Sequence, residues 1–109
     1  MLQFVSIWQA TSQTKTTISG LVKDIETRNV VAFANVMLHS EKTNAFVCGT
    51  ISGNDGRFEL PKVIAGSYIL EISVIGFKTF RQAVFVGSLS EFLDLQAILI
   101  EPMTEISRM

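Results

Sequence analysis

Asn54-Asp55-Gly56-Arg57-Phe58-Glu59-Leu60, followed by Gly66-Ser67-Tyr68-Ile69-Leu70-Glu71-Ile72-Ser73-Val74-Ile75-Gly76-Phe77, decides the fold of this chain. Asn, Asp and Gly tolerate the positive φ angles of a tight hairpin, so Asn54-Asp55-Gly56 reads as a turn feeding a short alternating strand. Gly66 then launches a strand of period two, with Tyr68, Leu70, Ile72 and Val74 on one face and Glu71 and Ser73 on the other. Gly76 permits a bend or bulge before the chain returns. Such an arrangement specifies a tight antiparallel meander and leaves little room for helix.

Outward from that centre the same period recurs. Residues 16–23 alternate with Ile18, Gly20 and Val22 on one face, and the polar stretch 24–29 is a loop in which Asp24 and Asn29 can bond the local backbone. Residues 33–39 set Ala34, Val36 and Leu38 against Asn35, Met37 and His39, and residues 44–52 bring Val47, Gly49 and Ile51 to one face. Pro61 is expected to end the strand 57–60, because it cannot donate to a ladder. The return strand spans 77–86, and the last strand, 91–101, sets Leu93, Leu95, Ala97 and Leu99 against Asp94 and Gln96. Seven alternating segments predict an all-β, seven-stranded antiparallel β-sandwich over residues 16–102. The first strand, 16–23, or the last, 91–101, is the expected exposed edge for a partner, since both flank segments with linker character. Phe80 and Phe85 have opposite parity, so one of them is expected to face away from the core. These aromatics read as packing residues, and a patch that joined the outward one to Ile98 or Ile100 would instead mark an interaction surface.

A chain of 109 residues makes one domain. Its apolar fraction of 48% is high and its charged fraction of 17% is below the usual ~25%, which argues against disorder and leaves apolar surface for a partner. The nine basic and ten acidic residues are scattered, so nothing forms an electrostatic footprint for nucleic acid. Cys48 is the only cysteine, which excludes an intramolecular disulfide and a zinc site of several thiolates; it reads as a small strand residue. Leu2 to Trp8 is a short apolar run, and Ala10-Thr11-Ser12 offers the small residues of a secretory cleavage site with Gln13 as the new N-terminus. Residues 1–15 therefore read as a truncated signal peptide or a flexible tail, and residues 103–109 as the start of a linker or a C-terminal tail. No stretch approaches the ~20 apolar residues of a spanning helix.

Two groups of residues resemble the carboxypeptidase regulatory-like domain, a transthyretin-like, Ig-like β-sandwich found at the N-terminus of TonB-dependent outer-membrane receptors. The first is Ile18-Ser19-Gly20-Leu21-Val22-Lys23-Asp24, with Glu26-Thr27 and Phe33-Ala34-Asn35-Val36. The second is Gly49-Thr50-Ile51-Ser52-Gly53-Asn54-Asp55-Gly56-Arg57-Phe58 with the Tyr68 and Gly76-Phe77 motifs. The resemblance covers about Thr17 to Pro102. It implies a structural motif of Gly20, Asp24, Asn35, Asp55, Gly56, Phe58, Gly66, Tyr68 and Gly76: glycines for backbone geometry, Phe58 and Tyr68 with Leu70 and Ile72 for the core. It implies no catalytic residue, cofactor or metal. Two positions depart from the family: Val30 stands near its usual proline, and Gly53 where an Asp or Asn is usual.

The chemistry on offer is thin. His39 is the only histidine and reads as a solvated residue on an outward face. Hydroxyisourate hydrolases and intradiol dioxygenases share the transthyretin-like architecture, but the histidines and tyrosines they need are not in this chain. Asp24 with Glu26 and Asn54 with Asp55 could meet at one end of the sandwich as oxygen ligands for calcium, and Gly53 removes one such ligand. The expected function is that of a non-enzymatic accessory or interaction domain, the periplasmic N-terminal module of a TonB-dependent receptor or related outer-membrane protein. The alternative is a stand-alone secreted adhesion or carbohydrate-binding module. The expected partner is another protein or a following barrel and plug region, with weak self-association through an edge strand and no nucleic acid.

Overall fold

The computed structural model describes residues 15–89 and 91–103. The expected signal peptide at residues 1–12 and the tail at 104–109 lie outside the described residues. Seven strands form in chain order: β1 Thr16–Asp24, β2 Asn35–Ser40, β3 Phe46–Ile51, β4 Arg57–Val63, β5 Gly66–Ser73, β6 Phe80–Val86 and β7 Phe92–Ile100. The described residues contain no helix. Two sheets stack, one ordered β4-β1-β7 and the other β3-β2-β5-β6, which is the all-β sandwich that the alternation predicts.

Inward residues of both sheets make one core. Ile18 and Val22 of β1, Phe58, Leu60 and Val63 of β4, and Ile98 and Ile100 of β7 meet Val36 and Leu38 of β2, Tyr68, Leu70 and Ile72 of β5, and Val84 and Val86 of β6. Each fully buried Leu or Ile stabilises by about 1.5–3 kcal/mol relative to exposure. Gly20 sits beneath the Phe58 ring, where a Cβ would lie 2.7 Å from two ring carbons, so this strand position admits the aromatic only because it lacks a side chain. Gly56 has φ 79°, and a Cβ there would meet the Val22 carbonyl oxygen at 2.8 Å.

Four features differ from the sequence reading, each for a physical reason. β1 is not an edge: it lies between β4 and β7, and it runs parallel to β7, the one parallel pair in the sandwich. The last strand enters from the opposite sheet, where β6 ends, and this crossover delivers it alongside β1 in the same direction. Pro61 does not end β4. Leu60 opposes Ile18 and Val63 opposes Thr16, so Pro61 and Lys62 face one residue as a bulge, with Lys62 at φ 62°. An edge strand accommodates a proline there.

The third difference is in β7, where Asp94 opposes Ser19 and Ala97 opposes Leu21, leaving an extra residue at Gln96, with φ 63°. Asp94 Oδ1 accepts the Gln96 N–H at 2.8 Å and holds this bulge. Facing therefore switches along the strand: Leu93 and Leu95 are half-buried, Ala97 is exposed, and Ile98 and Ile100 are core. An exposed patch containing either isoleucine does not form.

Finally, strands begin and end later or earlier than the alternation suggests, at Asn35 rather than 33, at Phe46 and Ile51 rather than 44 and 52, and at Phe80 rather than 77. At two of these points side-chain hydrogen bonds supplement the backbone ones. Ser52 Oγ accepts the Ala34 N–H at 2.8 Å and donates to the Val31 carbonyl at 3.1 Å. Thr43 Oγ1 accepts the Ala45 N–H at 3.2 Å.

Candidate functional site

Several polar side chains that could do chemistry are tied to the scaffold. Asp24 Oδ1 accepts the N–H groups of Glu26 at 2.7 Å and Thr27 at 3.3 Å, which makes the loop after β1 a local Asx turn. Asp55 Oδ1 accepts the Arg57 N–H at 3.0 Å across the β3–β4 turn. Both carboxylates thus shape loops, and the described residues hold no group of three or more His, Cys, Asp or Glu that could bind a metal ion. Tyr68, buried in β5, donates its hydroxyl to the Ile64 carbonyl at 2.6 Å and closes the β4–β5 turn.

Among the residues singled out from sequence, Gly20 and Phe58 pack together inside the three-stranded sheet. Asp24, the last residue of β1, and Asp55 and Gly56, in the β3–β4 turn, lie at one end of the sandwich, where Gly76, at φ 91°, turns the β5–β6 connection. Gly66 and Tyr68 serve the opposite end, and Asn35 stands at the start of β2 between Ile51 and Ser73. They do not converge on one point.

His39 is on the outward face of β2, as its parity requires, but it is not solvated. Its side chain is 19% exposed, with Nε2 3.7 Å from Glu71 Oε1 and the ring edge-on to Phe46 at 6.0 Å. Its Nδ1 is buried with no hydrogen-bond partner. Arg81 Nη2 approaches the same Glu71 oxygen at 3.1 Å, so Glu71 links β2 and β6 across β5. Cys48 is half-buried and packs against the core. Burial pushes its thiol pKa up, so no activated thiolate is built here. Tyr68 is pushed up too, first by burial and then by the nearby Cys48 charge.

An exposed apolar surface lies on the outer face of the four-stranded sheet. Phe46 is 61% exposed, Ile51 60% and Phe85 73%, with Val47 beside them, and Met37 and Ile69 half-buried between. A shallow groove of about 520 Å³ runs over Asn35, Met37, Phe46, Gly49, Ile51 and Ser73. The outer face of the other sheet carries a smaller hollow of about 390 Å³ with Ser19, Arg57, Glu59 and Asp94 in its walls, which is polar by comparison. Sequence reasoning placed Phe85 outward as an option and grouped Val47 with Ile51, but it did not single out Ser52, which holds the loop that leads into β2. The signal was there: Ser52 continues the inward parity of Cys48 and Thr50.

Comparison with known proteins accords with this geometry. The structure is similar to a group B streptococcus pilus 2b backbone protein, with a TM-score of 0.64 and 15% identity over 83% of this chain and 42% of that one. It is similar to the minor pilin of Streptococcus agalactiae, with a TM-score of 0.66 and 11% identity over 88% and 48%. The chain spans less than half the length of these two pilus proteins. It is also similar to the Klebsiella pneumoniae 5-hydroxyisourate hydrolase, with a TM-score of 0.61 and 19% identity over 82% and 93%. At these identities the likeness is one of fold, the transthyretin-like or pilin-type Ig-like sandwich. No curated protein matches the sequence. The sequence pattern of one family matches residues 17–98, three quarters of the chain, and by that match the protein belongs to the carboxypeptidase regulatory-like domain family.

Proposed function

We propose that this chain is a non-enzymatic contact domain of the cell envelope, the periplasm-facing N-terminal module of a TonB-dependent receptor or related outer-membrane protein. One observation carries the reading: Asp24, Asp55, Asp94, Ser52 and Tyr68 are each spent on backbone groups of the scaffold, while Phe46, Val47, Ile51 and Phe85 lie bare on one sheet face. A domain that fixes its polar groups internally and exposes an apolar face works by touching a partner. The apolar run Leu2 to Trp8 and the small residues Ala10 and Ser12 support export, with cleavage before Gln13.

The test is to tag the native gene product and fractionate cells. The reading expects an envelope-associated protein whose mature N-terminus, read by mass spectrometry, is Gln13. It also expects coding sequence beyond Met109 rich in ~10-residue alternating strands. A cytosolic product with residues 1–12 intact would refute it. An exported product released as a free domain would favour instead a stand-alone adhesion or carbohydrate-binding module, the reading that the pilin-type neighbours support at the level of fold.

A further inference from the structure

The four edge strands of the sandwich are not equivalent. β4 carries Pro61 and an extra residue opposite β1, β7 an extra residue at Gln96, and β3 an extra residue at Val47 opposite β2. Each irregularity bends its strand and breaks the row of outward backbone groups on which a further strand would form. β6 has none of these devices. Its seven residues contain no proline and pair with β5 without a register shift, from Ile72 opposite Phe80 to Gly66 opposite Val86. Alternate residues of such a strand turn N–H and C=O outward, and no other described strand pairs with them, which leaves a template ~23 Å long at ~3.3 Å per residue.

The side chains make this edge complementary to itself. Antiparallel pairing about a two-fold axis at Ala83 engages all seven residues. It sets Arg81 opposite Phe85 of a second copy, and Phe85 opposite the second Arg81, with Ala83 against its own mate at the axis. Partners in this register share a face, because their numbers differ by an even count. Arg81 is steadied by Glu71 at 3.1 Å, and Phe85 is 73% exposed, so a guanidinium and an aromatic face are both presented before any contact is made. On the inner side the register sets Gln82 against Val84 and Phe80 against Val86. Shifting the axis to Gln82 or Val84 pairs fewer residues, and a register that opposes the two arginines sets like charges together. A net charge of −1 adds little repulsion between copies.

We propose that β6 is a self-association edge, at which two copies of this chain join by antiparallel β6–β6 pairing about Ala83 with Arg81 of each lying on Phe85 of the other. The product is one continuous eight-stranded sheet, closed by two-fold symmetry so that no open filament follows. One strand per copy is a small interface, which puts the dissociation constant in the ~0.01–1 mM range. The inference goes beyond the contact-domain reading and does not depend on the cellular location.

Sedimentation equilibrium of the 109-residue chain from ~10 µM to ~1 mM, with amide exchange measured across the same range, tests it. The expected result is a monomer–dimer equilibrium in which protection grows with concentration along β6. Two substitutions at exposed position 85 then read the register. Phe85→Lys sets a cation against Arg81 of the second copy and should weaken the dimer ~10-fold or more, whereas Phe85→Glu meets that arginine with a carboxylate and should hold or tighten it, with a new dependence on salt. Thermal melts of both variants verify folding. A chain monomeric throughout the range overturns the proposal, as does a dimer that both variants weaken alike or that neither affects.

Discussion

Replacing Ser52 with Ala should cost more than removing the Tyr68 hydroxyl. Ser52 is 1% exposed and the Ala34 N–H that it accepts is equally buried, so no water replaces the hydroxyl. Removing it orphans that N–H and deprives the Val31 carbonyl, 3.1 Å away, of a donor. A buried unsatisfied donor costs about 1–3 kcal/mol, and a carbonyl with a second lone pair less, so Ser52→Ala should lose about 2–4 kcal/mol. The loop from Val31 to Ala34 also holds Phe33 at φ 60°, an unfavourable angle for a bulky residue, and in the variant only the backbone bonds of Ser52 to Phe33 and Ala34 are left to hold that conformation. The assay is urea denaturation, read as a fall in midpoint at constant slope, with amide exchange at Ala34 as the local probe. A loss below about 0.5 kcal/mol, or an Ala34 amide as slow to exchange as in the parent, would refute the assigned role of the hydroxyl.

Gly20→Ala should destabilise by about 1–3 kcal/mol by overpacking against Phe58, and pairing it with Phe58→Leu should recover part of that loss in a double-mutant cycle; simple additivity would show that the two do not collide. Gly56→Val adds strain at φ 79° to a clash with the Val22 carbonyl, for a loss of about 2–4 kcal/mol in denaturant melts, and a variant that melts like the parent would mean the turn has another conformation. Tyr68→Phe removes only the hydrogen bond to Ile64 and should cost about 0.5–1.5 kcal/mol, against about 3–5 for Tyr68→Ala; equal losses would contradict the packing. Because burial raises the Cys48 pKa above its unfolded value, its contribution to stability is full below the unfolded pKa and fades as pH rises towards the folded one. Iodoacetamide should therefore modify Cys48 more slowly in the native chain than in urea at pH 8.5, and equal rates would show that the fold does not shield the thiol.

The fold was legible where each decision is local. The Asn54-Asp55-Gly56 turn, the alternation of β1, β2 and β5, and the inward places of Phe58, Tyr68, Leu70 and Ile72 follow from turn chemistry and period two. What escaped the sequence is irregular or long-range. Lys62 and Gln96 sit at positive φ, where glycine would be the expected signal, so the bulges they mark went unseen and the facing of β7 beyond Gln96 was inverted. The parallel pairing of β1 with β7 depends on which sheet the chain re-enters, about which neither strand's own residues carry information. In β3, parity grouped Val47, Gly49 and Ile51 but could not tell that face from the one carrying Cys48 and Thr50, because the more apolar set is the exposed one.

That inversion in β3 bears on function. A strand whose outward residues are more apolar than its inward ones gives up burial that the opposite facing would have gained, at roughly 1.5–3 kcal/mol for each large side chain left in water. The core does not require the sacrifice: Val36, Leu38, Leu70 and Ile72 already fill the interior beside β3, and Cys48 and Thr50 fit the narrow space left at the sheet edge. The exposed Val47 and Ile51 therefore contribute little to holding the fold, whereas Phe46 also covers the His39 ring edge-on, and exchanging Val47 or Ile51 for a polar residue should change stability by no more than about 0.5 kcal/mol each. Residues that the scaffold does not need, grouped on one face with Phe85 and Ile69, are the ones free to be set by a partner. Core and exposed apolar face thus occupy opposite sides of the same four strands, so a substitution at Val47 or Ile51 can be read without disturbing the core.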